Sequence, residues 1–320
     1  MPVLIETDGL VKTFGDIRAV DGITLQVSKG EVLGFLGPNG AGKSTTMKMI
    51  TGFLEPTAGR ARVHGLDIVK EGRLAKELLG YLPEGAPCYG DMTAQAFLRF
   101  IAEIRGFSGA LRDKRVDGAV EKTALQSVLS QTIDTLSKGF KRRVGLAQAI
   151  LHDPPILILD EPTDGLDPNQ KHHVRSLIKD MSGEKAIIVS THILEEVEAV
   201  CSRAVVIDRG KIVADGTAEE LQRRMPYHNA VAIRTKAASA DAVQGALMQL
   251  DVVSDVERIG EANGRVQLRA LAKSGDPIVA EVAGAVKTGS LEIEEMYVER
   301  GRLDDVFRQI TTSDTSAADA

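Results

Sequence analysis

Cysteine is scarce in this 320-residue chain, and long apolar runs are missing. The two cysteines, Cys88 and Cys201, argue against a disulfide framework and favour a reducing compartment. The longest run of leucine, isoleucine and valine is Ile156–Leu159, far short of the roughly 20 apolar residues of a membrane helix. The N-terminus lacks the basic segment and apolar core of a signal peptide. We therefore expect any membrane role to depend on a partner.

An excess of positive charge is also missing. The chain has 39 basic and 45 acidic residues and a net charge of −6. Because a nucleic-acid-binding surface normally shows as clustered Lys and Arg, we expect no nucleic-acid partner. The length and the 43% hydrophobic content predict a globular protein of two domains.

A glycine-rich stretch, Gly37–Ser44, fits the phosphate-loop pattern G-x-x-x-x-G-K-[ST]. It lies between a short apolar segment suited to a buried strand and a segment that can form a helix. Glycines let backbone N–H groups wrap a phosphate chain, and the new helix points its N-terminus at the anion. Lys43 can then reach the outer phosphates, and the Ser44 hydroxyl can ligate Mg²⁺. The predicted nucleotide-binding residues here are Gly37, Pro38, Asn39, Gly40, Ala41, Gly42, Lys43, Ser44 and Thr45.

Two carboxylates, Asp160 and Glu161, end the apolar segment that starts at Ile156. Carboxylates directly after a buried strand are costly unless they have a function; the alternative is a solvated loop. Asp160 suits direct or water-mediated Mg²⁺ binding, and Glu161 suits a general base that orients the attacking water.

Two further residues are candidates by position. His192 follows the apolar segment Ala186–Ser190, at the strand edge where ligands bind in a phosphate-loop sheet. Phe14 precedes a turn upstream of the phosphate loop, where it can stack on an adenine ring. The alternative for Phe14 is a packing residue, which its position alone favours.

A helix is predicted from Leu136 to about Leu151, with Ser137 as its N-cap. We interpret Lys141, Arg142 and Arg143 as a solvated face of this helix. Downstream, the order βαββαβ between residues 225 and 310 predicts a small ferredoxin-like domain, which includes a closing helix from Leu303. Residues 311–320 have the composition of a disordered tail.

With these motifs in place, residues 3–224 resemble the ATP-binding subunit of an ABC transporter. The segment Gly37–Ser44 is similar to Walker A, and Ile156–Glu161 is similar to Walker B with its catalytic glutamate. Leu136–Phe140 resembles the signature LSGGQ, keeps Ser137 and Gly139, and departs from it at Lys138 and Phe140. Asp164–Asp167 is similar to the D-loop.

The resemblance implies roles for the remaining candidates. His192 corresponds to the switch histidine, and Phe14 to the adenine-stacking aromatic, which reverses the expectation from its position. Glu84 stands where the family usually has a glutamine that touches Mg²⁺ and the membrane subunit. This Leu82-Pro83-Glu84 variant, together with Lys138-Gly139-Phe140, resembles the gliding-motility and copper-processing branch of ABC-2 type exporters.

The resemblance further implies an α/β P-loop NTPase cassette over residues 1–224, with a helical subdomain at about 85–150, followed by the smaller α+β domain. It implies ATP and Mg²⁺ as cofactors, with Ser44, Asp160 and Glu84 at the metal. It implies an ATP-dependent homodimer in which Ser137 and Gly139 act in trans. It also implies a separate polytopic permease and a peripheral position on the cytoplasmic face of the cell membrane.

Two other classes stay open at this point. One is a soluble ABC ATPase with a non-transport mechanical role. Such ATPases that act on ribosomes normally carry two cassettes, whereas this chain has one phosphate loop. Chromosome- or repair-type ATPases carry a long coiled coil between Walker A and the signature, where this chain has about ninety residues without heptads. A noncatalytic binding module is the other, and the presence of both Glu161 and His192 disfavours it.

Overall fold

The computed structural model describes residues 1–191, 193–225 and 227–299. Within these ranges the chain forms two compact units, Met1–Gly216 and a second that begins at Thr217. This division lies eight residues before the boundary predicted from the sequence, after residue 224. Near that position, the Met225 N–H donates to the Gln222 carbonyl oxygen and the His228 N–H donates to the Met225 carbonyl oxygen. The predicted closing helix and tail, residues 303–320, lie outside the described residues.

Strands and helices alternate through most of the first unit. Its strands are β1 Val3–Phe14, β2 Ile17–Ser28, β3 Val32–Leu36, β4 Ala58–Val63, β5 Leu66–Asp67, β6 Leu79–Leu82, β7 Ile156–Asp160, β8 Ala186–Ser190, β9 Arg203–Asp208 and β10 Lys211–Gly216. Its helices are α1 Lys43–Ile50, α2 Gly72–Glu77, α3 Ala94–Ile104, α4 Gly109–Lys122, α5 Lys138–Ile150, α6 Pro168–Ser182 and α7 Leu194–Val200.

The central sheet of this unit has the strand order β10-β9-β3-β8-β7-β6. All its neighbouring strands run parallel except β10, which pairs antiparallel with β9. Every residue of β3, β7 and β8 is buried, as expected for parallel strands covered on both faces. Their carboxyl ends meet at one edge, which places the loops after β3, β7 and β8 side by side.

Two cores cover the two faces of the central sheet. On one face, Phe35 and Ile158 pack with Met47 of α1 and with β1 and β2 of a second, antiparallel sheet of order β2-β1-β4-β5. On the other face, Leu157 and Val189 belong to the core that includes α3, α4, α5 and α6. This alternation along each strand is the period-two pattern of a sheet with two buried faces.

The second unit contains α8 Ala218–Gln222, β11 Ala230–Lys236, α9 Ala237–Met248, β12 Val253–Ala262, β13 Arg265–Ala272, α10 Val279–Thr288 and β14 Glu295–Glu299. From β11 onward the order is the predicted βαββαβ. The strands form an antiparallel sheet of order β12-β13-β11-β14, with a core that includes Ile233, Leu247, Leu268 and Val282. Across the part of the chain that the structure describes, no helix combines the length and apolarity needed to cross a membrane.

Candidate functional site

The phosphate-loop segment joins β3 to α1, as the sequence predicted. Gly42 caps α1 with a φ of 104°, in the left-handed region that favours glycine. A Cβ on Gly42 would lie 2.5 Å from the Ala19 carbonyl oxygen, and one on Gly37 would lie 2.4 Å from that of Ile207. These two glycines are therefore required by the close approach of β2 and β9 to the loop.

Lys43 bends back over its own loop. Its Nζ donates to the carbonyl oxygens of Gly37 at 2.7 Å and Pro38 at 3.0 Å, and the residue is 6% exposed. Burial lowers the pKa of Lys43, while the charges of Glu161, Asp160 and Glu84 act to raise it. The structure thus brings the three predicted carboxylates within electrostatic reach of the predicted phosphate-binding lysine.

Asp160 is 1% exposed at the end of β7. Its Oδ1 accepts a hydrogen bond from the Ser190 hydroxyl, at the end of the neighbouring strand β8. Its Oδ2 is buried and has no hydrogen-bond partner. A buried carboxylate oxygen of this kind is costly unless a cation or donor reaches it, so Asp160 fits a Mg²⁺ ion or a water bound to one.

A magnesium ion at this place would need few protein ligands. Among the described residues, no group of three or more His, Cys, Asp and Glu side chains is arranged to hold a metal. Mg²⁺ in nucleotide sites commonly uses one or two protein oxygens and takes the rest from phosphates and water. Ser44 in the first turn of α1 and Asp160 fit that pattern. Glu84 is an exposed residue after β6, within electrostatic reach of Lys43.

Glu161 follows directly and has a left-handed backbone, with a φ of 50°. Its N–H donates to the carbonyl oxygen of Ser190 at 3.2 Å and to the Ser190 hydroxyl at 3.0 Å. Residues with a side chain occupy this region at a cost of about 1–2 kcal/mol, and they cluster at functional sites. The bonds to Ser190 help to hold that conformation.

Arg142 and Arg143 are buried, at 4% and 7% exposure, so the predicted solvated face is wrong for both. The Arg142 guanidinium donates to the carbonyl oxygens of Pro83 at 3.0 Å, Asp160 at 3.0 Å and Glu161 at 2.5 Å. Arg143 donates to the Ala124 carbonyl oxygen at 2.9 Å and lies over the Phe140 ring. Carbonyl partners from distant segments pair with the terminal nitrogens of both guanidinium groups, whereas the buried Nε atoms of both have no hydrogen-bond partner. Local helical periodicity cannot reveal such partners.

The signature-like segment begins α5. Ser137 is the exposed N-cap, and its hydroxyl accepts from the Phe140 N–H at 3.3 Å, as predicted for this position. A Cβ on Gly139 would lie 2.8 Å from Gln170 Oε1. Lys138, where the segment departs from the family pattern, forms a 2.8 Å ion pair with Asp164 of the D-loop-like segment. These two segments therefore meet within this unit.

Phe14 ends β1 and is 48% exposed, so it is not a core packing residue. The Lys12 ammonium lies 5.3 Å from its ring centroid. The following strand β2 carries Ala19, whose carbonyl approaches Gly42. His192 falls outside the described residues.

Three residues around the site, Ser190, Arg142 and Glu196, were not predicted from the sequence. Ser190 contacts both Asp160 and the Glu161 N–H. Its hydroxyl at the end of an apolar strand was a usable signal. Glu196 carried no such signal, since its partners Thr163 and Thr191 lie in separate loops.

Comparison with known proteins agrees with this geometry. The ABC transporter family (ABC_tran) matches residues 20–164. The probable multidrug ABC transporter ATP-binding protein YbhF of Escherichia coli is 40% identical over 225 residues, which are 68% of this chain and 38% of that protein. The chain thus spans well under half the length of that relative.

A second relative matches nearly end to end. The daunorubicin resistance ATP-binding protein DrrA3 of Streptomyces coeruleorubidus is 31% identical over 317 residues, covering 99% of this chain and 98% of that protein. A solved structure of an ATP-binding subunit of an ABC transporter superposes with a TM-score of 0.64 at 32% identity, covering 69% of this chain and 92% of the other. The chain belongs to the ABC transporter family of ATP-binding proteins.

Proposed function

We propose that this protein is the ATP-binding and ATP-hydrolysing subunit of an ABC exporter. One observation carries the proposal: Lys43, Asp160 and Glu161 lie together at the carboxyl edge of the central sheet, and Asp160 presents a buried oxygen without a partner. The names of the relatives support transport, because they describe ATP-binding proteins of multidrug transport and of daunorubicin resistance.

Substrate binding follows from the loop after β3. Backbone N–H groups between Gly37 and Thr45 would hold the phosphates, with Lys43 exchanging its carbonyl partners for phosphate oxygens. The half-exposed ring of Phe14 would stack on the adenine. Bound Mg²⁺, held by Ser44 and Asp160, would neutralise charge on the phosphates.

Hydrolysis would depend on Glu161. Its carboxylate would orient the attacking water and accept its proton, while Lys43 and His192 stabilise charge on the transferring phosphoryl group. The left-handed backbone of Glu161, held by Ser190 and Arg142, supports a fixed position for that carboxylate.

The active assembly would be a homodimer closed by ATP. The N-terminus of α5, with Ser137 exposed and Gly139 on its first turn, would face the γ-phosphate bound to the second copy. Closure and reopening would move a separate polytopic permease of the ABC-2 type, on the cytoplasmic face of the cell membrane. Leu82-Pro83-Glu84 and Lys138-Gly139-Phe140 support the gliding-motility and copper-processing branch.

The second unit would be an accessory domain. Its βαββαβ order and its antiparallel sheet of order β12-β13-β11-β14 support a ferredoxin-like fold. Ion pairs such as Arg234–Glu295 and Arg265–Glu294 lie on its surface, and the candidate catalytic residues belong to the first unit.

The test is Mg-dependent ATP hydrolysis by the full chain and by two variants. Lys43→Ala should abolish nucleotide binding or turnover, because it removes the cation that contacts the phosphates. Glu161→Gln should keep ATP affinity and lower kcat by about 100-fold or more, since the proton acceptor is lost. Unchanged turnover in Glu161→Gln would remove Glu161 from the general-base role.

A further inference from the structure

Glu196 is a buried carboxylate on α7 that the chemistry above does not use. It is 4% exposed. Taking a carboxylate out of water is costly unless hydrogen bonds and opposite charges compensate. The contacts of Glu196 therefore indicate what holds it there.

Both carboxylate oxygens of Glu196 accept hydrogen bonds from threonines. Oε1 accepts from the Thr163 hydroxyl at 2.5 Å, and Oε2 accepts from the Thr191 hydroxyl at 2.9 Å. Two cations of α6 compensate the charge, with Arg175 at 3.5 Å and Lys171 at 4.0 Å from Oε1. Charged hydrogen bonds in a buried setting are stronger than neutral ones.

The two threonines belong to the two loops that carry catalytic candidates. Thr163 lies two residues after Glu161, inside the turn that the Asp164 N–H closes on the Glu161 carbonyl oxygen at 3.1 Å. Thr191 directly precedes His192 in the chain, and its N–H donates to the Phe35 carbonyl oxygen at 3.2 Å. One side chain thus ties together the loops after β7 and β8.

The helix that carries Glu196 is itself anchored. Val197 and Cys201 pack over Gly34 of β3, where a Cβ would lie 3.4 Å from Val197 and 3.0 Å from the Cys201 sulfur. Since β3 leads into the phosphate loop, the helix that carries Glu196 is anchored to the strand that precedes Lys43.

We propose that Glu196 is a positioning residue for ATP hydrolysis, whose carboxylate fixes the separation between the loop of Glu161 and the loop of His192. This inference rests on the proposed ATPase function. The carboxylate acts through Thr163 and Thr191 rather than on the substrate. Its removal should therefore lower kcat while the phosphate loop still binds ATP.

The experiment compares Glu196→Gln with Glu195→Gln, which changes an exposed carboxylate on the neighbouring position. Thr163→Val and Thr163→Ser form a second matched pair, because valine keeps the shape and serine keeps the hydroxyl. For each full-length variant we would measure kcat and KM for Mg-ATP, the affinity for a fluorescent ATP analogue, and the thermal unfolding midpoint.

We expect Glu196→Gln and Thr163→Val each to lower kcat by about tenfold or more, as loss of catalytic alignment does, with nucleotide affinity within about threefold of wild type. Glu195→Gln and Thr163→Ser should keep wild-type kcat. The double variant Glu196→Gln/Thr163→Val should be no slower than Glu196→Gln alone, since loss of the Glu196 charge already weakens the contact with Thr163.

The proposal is overturned if Glu196→Gln and Thr163→Val lower only the unfolding midpoint, or if Thr163→Ser is as slow as Thr163→Val. Should Glu196→Gln fail to fold, the Thr163 pair decides the question. A wild-type chain without ATPase activity overturns both this inference and the proposed function. An active wild type with unaffected variants overturns this inference alone.

Discussion

Arg142 donates a hydrogen bond from α5 to the backbone carbonyl oxygen of Glu161, the residue with the left-handed backbone. The same guanidinium binds the carbonyl oxygens of Asp160 and Pro83. Helix α5, which begins in the signature-like segment, is thereby hydrogen-bonded to the backbone of Asp160 and Glu161 and to that of Pro83.

Replacing Arg142 by methionine should lower both stability and turnover. The change keeps most of the apolar stem but removes three hydrogen bonds from a buried cation, each worth about 1.5–3 kcal/mol. The Glu161 and Pro83 carbonyl oxygens keep the N–H donors of Asp164 and Ala86. We expect urea denaturation to show a loss of about 3 kcal/mol in the free energy of unfolding. Lys141→Met, one residue earlier on the same helix, is the control. Equal losses in the two variants would mean that the carbonyl contacts of Arg142 contribute nothing measurable.

ATP-dependent formation of the proposed homodimer can be tested by introducing a negative charge at Ser137, the N-cap of α5. Light scattering of Glu161→Gln with Mg-ATP should show a dimer. Adding Ser137→Asp keeps an N-cap acceptor but brings a negative charge to the γ-phosphate of the second copy, so dimers should be lost. Ser137→Asn is also a good N-cap, without the charge, and should retain dimers. A monomer in Glu161→Gln under these conditions, and also with the permease present, would contradict catalysis in trans.

Glu84 should make ATP affinity depend on Mg²⁺. When Mg²⁺ is bound, a carboxylate beside it is tolerated, because this hard cation prefers oxygen ligands. When Mg²⁺ is removed, the same carboxylate lies near the γ-phosphate of ATP and repels its negative charge. Glu84→Gln should therefore strengthen ATP binding in the presence of chelator and change Mg-ATP binding much less. Calorimetric titration with and without Mg²⁺ measures both affinities. Equal shifts in both conditions, or none in either, would place Glu84 outside the shell of the metal and the phosphates.

His152 should make the fold sensitive to acid. Burial, with help from the Arg105 charge, lowers its pKa from 6.5 to about 4, and Nε2 lies 3.0 Å from the Leu79 carbonyl oxygen. In this pH range the unfolded chain binds the proton more tightly, so the contribution of His152 is complete above pH 6.5 and is lost as the pH falls towards 4.

Denaturation between pH 4.5 and 7.5 checks this dependence. Wild type should lose stability towards the acid end more steeply than His152→Gln, which can still donate to Leu79. His172→Gln, at an exposed position of α6, should follow wild type. Parallel curves for wild type and His152→Gln would contradict the prediction.

The second unit should be dispensable for nucleotide binding. A chain ending at Arg224 keeps every strand of the central sheet and the whole phosphate loop. We expect its affinity for a fluorescent ATP analogue to equal that of the full chain. A folded truncated chain that cannot bind the nucleotide would show that the domain assignment is wrong.

Several elements of the site follow from the sequence because their signals are local. Gly37–Ser44 has a fixed pattern between a strand and a helix, and the apolar segments at Ile156 and Ala186 form the predicted strands. The N-cap role of Ser137 also depends only on its immediate neighbours.

The contacts that join distant segments could not be predicted in this way. Arg142 looks solvated in a helical pattern, and only the fold brings Pro83, Asp160 and Glu161 to its guanidinium. Glu196 is one of several acidic residues in α7, and its burial depends on threonines in two other loops. Helix α4 was also not predicted; it is mostly polar, and only a few positions such as Val116 and Val120 are buried.

At Glu161 the left-handed backbone lowers the stability of the fold, whereas the carboxylate at the same position is needed for the proposed activity. Glycine adopts a φ of 50° without the steric penalty of a side chain, and Asn adopts it more readily than Glu does. A screen that selected only for heat resistance would therefore favour Glu161→Gly or Glu161→Asn and would recover proteins that no longer hydrolyse ATP. Thermostabilised forms of this chain need a turnover assay at every round, since unfolding measurements alone would reward the loss of its proposed catalytic carboxylate.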